Sequence, residues 1–187
     1  MNKDQTSAGA GVKTKWSLDP AHSEVSFKVK HMMITSVTGY LKDFDVEVDS
    51  QGEEFDNADV KFVAKMKSLT TGNEDRDAHL RSADFFDVDK NAELVFKSTR
   101  YSRDGDDITL EGDLTIRGVT KPIVLDVEFG GVQKDPWGNT RAGFTVTGKL
   151  NRKEFGLNWN TALESGGVLV GDEVKINCEI ELVKSQD

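Results

Sequence analysis

The sequence predicts an all-β fold of about eight long antiparallel strands, forming an up-and-down barrel or a sandwich, with one inserted α-helix. Apolar residues alternate with polar ones over long segments, which is the period of a strand with one buried face. Short turns separate these segments, and the chain has 17 glycines but only 3 prolines. The pattern changes to that of a helix in one segment only, at residues 73–81.

The most regular strand is expected over residues 22–34. Its alternation places Val25, Phe27 and Val29 on the inward face, with polar residues between them. His31 falls on the same inward parity, so we expect its imidazole to lie inside and to need a hydrogen-bond partner. The run at residues 32–34 is apolar on both faces and continues the strand.

The other strands follow from the same alternation. An extended segment begins at Trp16 and is interrupted at Asp19–Pro20. Leu41 is out of phase with Phe44, which predicts a β-bulge near residues 42–43. The remaining strands are expected over residues 39–48, 60–66, 94–98, 108–116, 123–129, 142–150 and 172–183.

One α-helix is expected after the strand at residues 60–66. Asn73 can cap its first turn, and that turn is acidic, which suits the positive end of the helix dipole. The helix should run to Arg81. The aromatic pair Phe85–Phe86 behind it should fix the helix to the sheet.

Length and charge restrict the class of protein. At 187 residues the chain fits one domain, and we expect a disordered tail over residues 1–14 and a barrel domain over residues 15–187. The formal charge of −9 argues against a nucleic-acid partner and against electrostatic docking on an anionic bilayer. No apolar run approaches ~18 residues, so no transmembrane segment is expected. Without a signal peptide a complete chain should be cytoplasmic, whereas a chain trimmed of an export signal should be periplasmic.

The sequence lacks the patterns of catalytic and metal sites, and we expect neither an enzyme nor a metal or cofactor. Its one cysteine, Cys178, lies at alternating spacing among apolar residues and is expected to be a buried core residue. The three histidines lie on separate elements, without the spacing of metal ligands. No Gly-x-Ser-x-Gly motif occurs, and the acidic residues around the helix are typical of a solvated helix face.

The apolar side chains of the inward faces are the remaining candidate site. They can fill a solid core or line a tunnel that holds an apolar ligand, and periodicity does not distinguish these two cases. Small residues on the same faces, such as Gly112 and Gly148, leave room for a tunnel but serve barrel curvature equally well. The predicted ligand-binding residues are Val25, Phe27, Val29, His31, Phe62, Leu94, Phe96, Leu110, Leu114, Leu125, Phe144 and Trp159.

Several longer motifs are spread over the chain. They are Trp-x-x-Asp-x-x-His-Ser at 16–23 with Lys-His-Met at 30–32, Thr-Gly-Asn-Glu-Asp-Arg-Asp-Ala-His-Leu at 71–80 running into Asp-Phe-Phe-Asp at 84–87, Gly-Asp-Leu-Thr-Ile-Arg-Gly-Val-Thr-Lys-Pro at 112–122, Arg-Lys-Glu-Phe-Gly-Leu at 152–157 and Gly-Asp-Glu-Val at 171–174. Through these motifs the sequence resembles the YceI-like family of polyisoprenoid-binding proteins over residues 15–184.

The resemblance implies an extended lipocalin-like barrel with a long isoprenoid lipid, such as a polyprenyl quinone, in its lumen. The protein would be a carrier or store of that lipid, and no catalysis is implied. The alternative is an enzyme, or a ligand-free structural or stress-response protein, that uses the same barrel. A homodimer is also left open. His31 has two candidate roles: a structural hydrogen bond, or a donor to the polar head of the lipid.

Overall fold

The computed structural model describes residues 13–186, which form one antiparallel sheet and one α-helix. The strands are β1 (Lys13–Leu18), β2 (Glu24–His31), β3 (Thr35–Leu41), β4 (Phe44–Gln51), β5 (Asp56–Lys65), β6 (Leu69–Thr70), β7 (Glu93–Asp104), β8 (Asp107–Ile116), β9 (Val119–Lys134), β10 (Thr140–Asn151) and β11 (Val170–Lys184). The helix, α1 (Glu74–Arg81), lies between β6 and β7 in the chain.

The eleven strand segments make up eight strands of a closed barrel. Three of the eight are interrupted: β1 and β2 are separated by a 3-10 turn at Pro20–His22, β3 and β4 by Lys42–Asp43, and β5 and β6 by a 3-10 turn at Met66–Ser68. The break at Lys42–Asp43 lies where the sequence predicted a bulge. The sheet closes because β1 pairs with β4 on one side and with β11 on the other. The predicted eight-stranded antiparallel barrel with one inserted helix is confirmed.

The N-terminal strand begins earlier than the sequence predicted. Residues 1–12 of the predicted disordered tail lie outside the described residues. Residues 13–14, which we assigned to that tail, instead open β1, where Thr14 lies opposite Ser50 of β4. The anchor of this strand is Trp16, which is 2% exposed and donates its indole N–H to Ser50 Oγ at 3.0 Å.

The strand predicted over residues 22–34 ends at His31. Met32 and Met33 have positive φ angles of 51° and 63°, which form a tight turn from β2 into β3. Bulky residues rarely adopt this left-handed conformation, and the turn lacks the Asn-Gly or Asp-Gly pair that usually marks such a hairpin. The turn was therefore not visible in the sequence.

The helix is found where it was predicted. Asn73 caps it by accepting a hydrogen bond from the Arg76 backbone N–H at 2.9 Å. Phe85, which is 7% exposed, packs behind it. No helix among residues 13–186 combines the length and the apolar character needed to cross a bilayer.

Asp77 fastens α1 to the end of β6. Its side chain is buried, and its carboxylate accepts hydrogen bonds from Thr71 N–H at 2.8 Å, Thr71 Oγ1 at 2.6 Å and Thr70 Oγ1 at 3.1 Å. Burial by itself would raise the pKa of Asp77, but these hydrogen bonds outweigh burial and hold the pKa below its ordinary value. The helix is thus held at this end of the barrel by an ionised carboxylate.

We expect Asp77→Asn to lower the free energy of unfolding at neutral pH by about 1–3 kcal/mol, because the amide cannot accept all three hydrogen bonds. The folded-state pKa lies below the ordinary 3.8, so this contribution is complete above pH 3.8 and is lost as the pH falls through the folded-state value. Urea unfolding as a function of pH measures it. Asp75→Asn, at an exposed position of the same turn, is the control. If the difference in the free energy of unfolding between wild type and Asp77→Asn does not depend on pH, this role of Asp77 is contradicted.

Candidate functional site

The candidate site is an apolar cavity inside the barrel. It has a volume of about 230 Å³, and a smaller part of about 80 Å³ adjoins it toward one end. The two parts share the wall residues Val46, Val60, Leu110, Val146 and Ile180, so we treat them as one lumen. The larger part exceeds the ~150 Å³ of an apolar protein cavity that stays dry and takes up benzene.

The wall of the larger part presents apolar surface only, although three of its residues carry polar groups. Ser26 turns its hydroxyl into the sheet, where it donates to the Asn177 carbonyl at 2.9 Å. Arg152 directs its guanidinium to backbone carbonyls. Burial raises the pKa of the Cys178 thiol to about 12, so this group stays protonated and is a weak nucleophile. The lumen therefore offers dispersion contacts and no charge.

Three glycines in the barrel wall, Gly39, Gly112 and Gly148, leave room for bulky neighbours. A Cβ atom on Gly39 would lie 2.2 Å from the ring of Phe27, and one on Gly112 would lie 2.4 Å from the ring of Phe96. On Gly148 it would lie 2.6 Å from Leu125. These glycine seats let large side chains lie flat against the wall, which keeps the lumen open.

One end of the barrel is closed by packed aromatic rings. Phe55 is 2% exposed, and its ring lies 4.5 Å from Trp16, 4.8 Å from Phe144 and 5.5 Å from Phe129, measured between centroids. This aromatic floor lies beneath the smaller part of the lumen, whose wall includes Phe55 and Phe144. The lumen is therefore blind at this end.

The other end is covered by α1 and by the segment between β10 and β11, which Arg152 holds in place. The Arg152 guanidinium is 3% exposed and donates hydrogen bonds to four backbone carbonyls. The acceptors are Leu157 at 2.6 Å, Gly171 at 2.8 Å, Trp159 at 2.9 Å and Val170 at 3.3 Å. Burial lowers the pKa of Arg152, partly offset by the Asp172 carboxylate 4.0 Å away. The Arg152 donors are directed to backbone, not to the lumen.

Nine of the twelve predicted site residues lie in the wall of the larger part of the lumen. They are Val25, Phe27, Val29, Phe62, Leu94, Phe96, Leu110, Leu114 and Leu125. Several of them, including Phe27 and Phe62, are only partly buried although they point inward, because they border the cavity. The structure thus brings these nine together in one surface, and their role as ligand contacts remains a prediction.

The other three predicted residues lie outside the wall of the larger part. Phe144 borders the smaller part of the lumen, where it belongs to the aromatic floor. Trp159 lies in the cover at the other end, where it packs edge-to-face on His79 with ring centroids 4.7 Å apart and at a tilt against Phe85 at 5.3 Å. His31 is only partly buried and lies outside the wall, at the last residue of β2 opposite Val170. The imidazole therefore does not lie inside the lumen as the alternation predicted, and its role toward a bound ligand stays a prediction.

Sequence reasoning missed more than half of the residues that line the larger part, and two groups among them show why. One group comes from the final strand, where Val174, Ile176 and Ile180 face the lumen with the parity of Cys178. That alternation was visible, and it could have found them. The other group covers the open end from α1 and its neighbours and consists of Met66, Leu69, Leu80, Phe85, Phe86 and Leu157. Met66 lies on the alternation of the strand predicted over residues 60–66 and could have been found, whereas the other residues of this group come from a two-residue strand, the helix and irregular segments, where no strand period applies.

A polar cluster lies at the closed end of the barrel, around Arg141. Within residues 13–186, Asp19, His22 and Glu181 form the one group of three side chains close enough to hold a metal ion together. Arg141 already pairs with two of them, Asp19 and Glu181, the latter at 2.8 Å. A guanidinium therefore supplies the positive charge that these carboxylates need.

The same guanidinium also binds the turn between β9 and β10. Arg141 Nε donates to Asp135 Oδ2 at 2.7 Å, and this hydrogen bond, opposed in part by desolvation, lowers the pKa of Asp135 to about 2. At the other edge of the cluster, the hydrogen bond to Asp19 at 2.9 Å raises the pKa of His22. Asp19 of the first sequence motif thus ties the interrupted strand β1–β2 to β10 and β11 at the closed end, and His22 of the same motif supports Asp19 from its own turn.

Comparison with protein families and sequences gives consistent matches. The model of the YceI-like domain matches residues 16–182. A UPF0312 protein of Staphylococcus epidermidis is 42% identical over 171 residues, covering 90% of this chain and 96% of the relative. A UPF0312 protein of Staphylococcus aureus is 38% identical over 174 residues, covering 92% of this chain and 99% of the relative.

Solved structures share the fold. The YCEI protein of Campylobacter jejuni is 35% identical with a TM-score of 0.72, covering 90% of this chain and 97% of its own. BcnA of Burkholderia cenocepacia superposes with a TM-score of 0.75 at 21% identity, covering 88% and 98%. A polyisoprenoid binding domain from Saccharophagus degradans superposes with a TM-score of 0.64 at 14% identity, covering 91% and 98%. The last two likenesses concern the fold alone.

Proposed function

Starting from the fact that this chain belongs to the YceI-like family, we propose that its barrel binds the tail of a long isoprenoid lipid, such as a polyprenyl quinone, and acts as a carrier or store of it. The observation that carries the proposal is the lumen itself, a cavity of about 230 Å³ whose wall presents only apolar surface. Each CH₂ group that leaves water for such a space contributes about 0.8 kcal/mol. Ordering the flexible tail offsets part of this gain.

The shape of the lumen favours a chain-like ligand that enters tail first. The aromatic floor around Phe55 closes one end, so the ligand has one way in, from the end under α1. On the scale of benzene in a ~150 Å³ cavity, the larger part accommodates about nine carbons, or roughly two isoprene units. The remainder of a longer tail and any polar head would stay at or outside the mouth.

We infer that the barrel binds its ligand without transforming it. No charged group of the described residues presents a polar atom to the wall of the larger part. Arg152 uses its donors on backbone carbonyls, and the thiol of Cys178 stays protonated. A catalytic site would need a nucleophile, acid or base within reach of the bound ligand.

One structural relative, from Saccharophagus degradans, is described as a polyisoprenoid binding domain. At 14% identity this similarity shows that the two proteins share a fold, and it does not show that they share a ligand. The ligand class proposed for this chain therefore rests on its own lumen, and the relative only suggests which apolar lipid to test first.

Two measurements test the proposal. Mass spectrometry of an organic extract of the purified protein should detect a co-purified polyprenyl lipid. Titration with a polyprenyl quinone should quench the tryptophan fluorescence or shift the thermal midpoint, whereas a quinone without an isoprenoid tail should have no effect. Failure to bind any polyprenyl lipid would favour the ligand-free alternative. Chemical change of the added lipid would favour an enzyme.

A further inference from the structure

The hairpin between β2 and β3 ends in exposed apolar residues. Met32, Met33 and Ile34 are 41%, 63% and 76% exposed, and Val168 of the neighbouring segment is 37% exposed. We call these four residues the apolar tip. Single exposed apolar residues are ordinary, but a contiguous group at the end of a hairpin indicates an interaction site.

The conformation of the apolar tip makes its composition more unusual. Both Met32 and Met33 have φ angles in the left-handed region, at 51° and 63°. Asn-Gly is the usual pair for a hairpin turn with two such residues, because Asn and Gly adopt positive φ angles at low cost. Methionine adopts them less readily, and its apolar side chain is exposed to water here. Two exposed methionines thus occupy positions where polar residues would give a more stable turn. Residues that cost stability at their position are candidates for a binding function.

The apolar tip is next to the mouth of the lumen. The backbone N–H of Met32 donates to the Leu169 carbonyl at 2.8 Å, and Met33 packs on Gly167, where a Cβ atom would lie 2.4 Å from its sulfur. The adjoining residues Val29 and Val170 are already part of the lumen wall. The apolar tip therefore lies beside the lumen wall at the end that α1 covers.

The hairpin also differs in charge from the rest of the chain. Residues 25–41 include Lys28 and Lys30 and no aspartate or glutamate, within a protein of net charge −9. Both lysines are exposed on the outer face of β2. Basic side chains behind an apolar end suit a surface of anionic head groups over hydrocarbon.

The size of the apolar tip argues against a second copy of this chain as its occupant. A stable protein interface takes roughly 20–30 residues from each side, and the apolar tip has four. A bilayer needs no matching surface, because methionine and isoleucine side chains enter its acyl region individually.

We propose that the apolar tip inserts into the surface of an anionic phospholipid bilayer and so places the mouth of the lumen against the membrane, where an isoprenoid tail can pass between bilayer and barrel. This inference rests on the proposed function for its purpose. Membrane insertion itself does not depend on which lipid the lumen binds.

The test replaces the two methionines by the pair that suits the turn. In Met32→Asn/Met33→Gly the hairpin keeps its shape and the thermal midpoint should rise. Co-sedimentation with quinone-free vesicles of phosphatidylcholine and phosphatidylglycerol should fall at least about tenfold, since two apolar side chains no longer enter the bilayer.

The rate at which the protein takes polyprenyl quinone from loaded vesicles should fall in parallel, while the affinity for the quinone at equilibrium stays unchanged. Ile34→Asn, which keeps both methionines, should give a smaller loss.

The matched control is Trp137→Ala. Trp137 is 81% exposed in the turn between β9 and β10, at the opposite end of the barrel, and its loss should not alter vesicle binding. Wild-type protein that does not sediment with quinone-free vesicles, or that loses binding on Trp137→Ala and not on the tip variant, would overturn the inference. So would a wild-type dimer that the tip variant converts to a monomer without change in vesicle binding. Vesicle binding by a protein that takes up no polyprenyl lipid would refute the proposed function and leave the insertion of the apolar tip standing.

Discussion

Val146→Trp is expected to weaken the binding of a polyprenyl quinone by about 100-fold or more. Val146 borders both parts of the lumen and is only partly buried there. An indole at this point takes the space of about one isoprene unit, whose five carbons would each contribute up to about 0.8 kcal/mol on burial. The cavity of about 230 Å³ can receive the ring, so the barrel should fold and its thermal midpoint should stay near that of wild type.

Fluorescence titration with the quinone and with a headless isoprenoid measures the effect, which should be equal for the two ligands. His31→Leu is the control, because His31 lies outside the lumen wall, and we expect it to leave both affinities unchanged. Unaltered binding by Val146→Trp would show that the ligand does not reach Val146. A loss on His31→Leu confined to the quinone would assign His31 to the polar head after all.

Arg152→Met is expected to lower the free energy of unfolding by about 3 kcal/mol or more. The change leaves up to four carbonyls at the cover of the lumen without their donor, and a buried group left unsatisfied costs roughly 1–3 kcal/mol. For a domain of this size the thermal midpoint should fall by about 6–12 °C. The segment between β10 and β11 should also exchange its amide hydrogens faster, because Arg152 holds both of its ends.

Lys153→Met is the matched control. It removes the same charge one residue later and a 3.4 Å ion pair with Asp172, but its side chain is half exposed, so we expect a loss below about 1 kcal/mol. Thermal unfolding of both variants, with hydrogen exchange read by mass spectrometry, separates the two. Equal losses would mean that Arg152 acts through its charge and not through the carbonyls.

Alternation of apolar residues was sufficient to predict the barrel and nine of the residues that line its lumen. It succeeded for residues such as Phe27 and Leu114 because a strand residue that points inward must do so at every second position. It placed Phe144 inward as well, but parity gives direction and not depth along the barrel axis, so it could not tell that Phe144 borders the smaller part of the lumen at the closed end. Trp159 and the residues of α1 were beyond its reach, since no strand period applies to a helix or an irregular segment.

Two further features were hidden for a different reason. The lumen is open because aromatic rings lie against glycines of the neighbouring strand. Such a contact joins residues far apart in sequence, such as Phe96 and Gly112, so it could not be predicted from the alternation alone. The hairpin turn at Met32–Met33 was hidden because its residues contradict the usual turn chemistry. Both features bear on the proposed binding function of the barrel, and neither is needed to form its strands.

The width of the lumen depends on the glycine seats, which lie beneath the side chains that line it. Adding one methyl group at Gly39 would force the ring of Phe27 off the wall, since the new carbon would lie 2.2 Å from it. Because Phe27 lines the lumen, a ring displaced inward would narrow the lumen while the strand pairing stayed the same. A single substitution beneath an aromatic ring would therefore change the space that this barrel leaves for a ligand, while the residues that line the lumen stay the same.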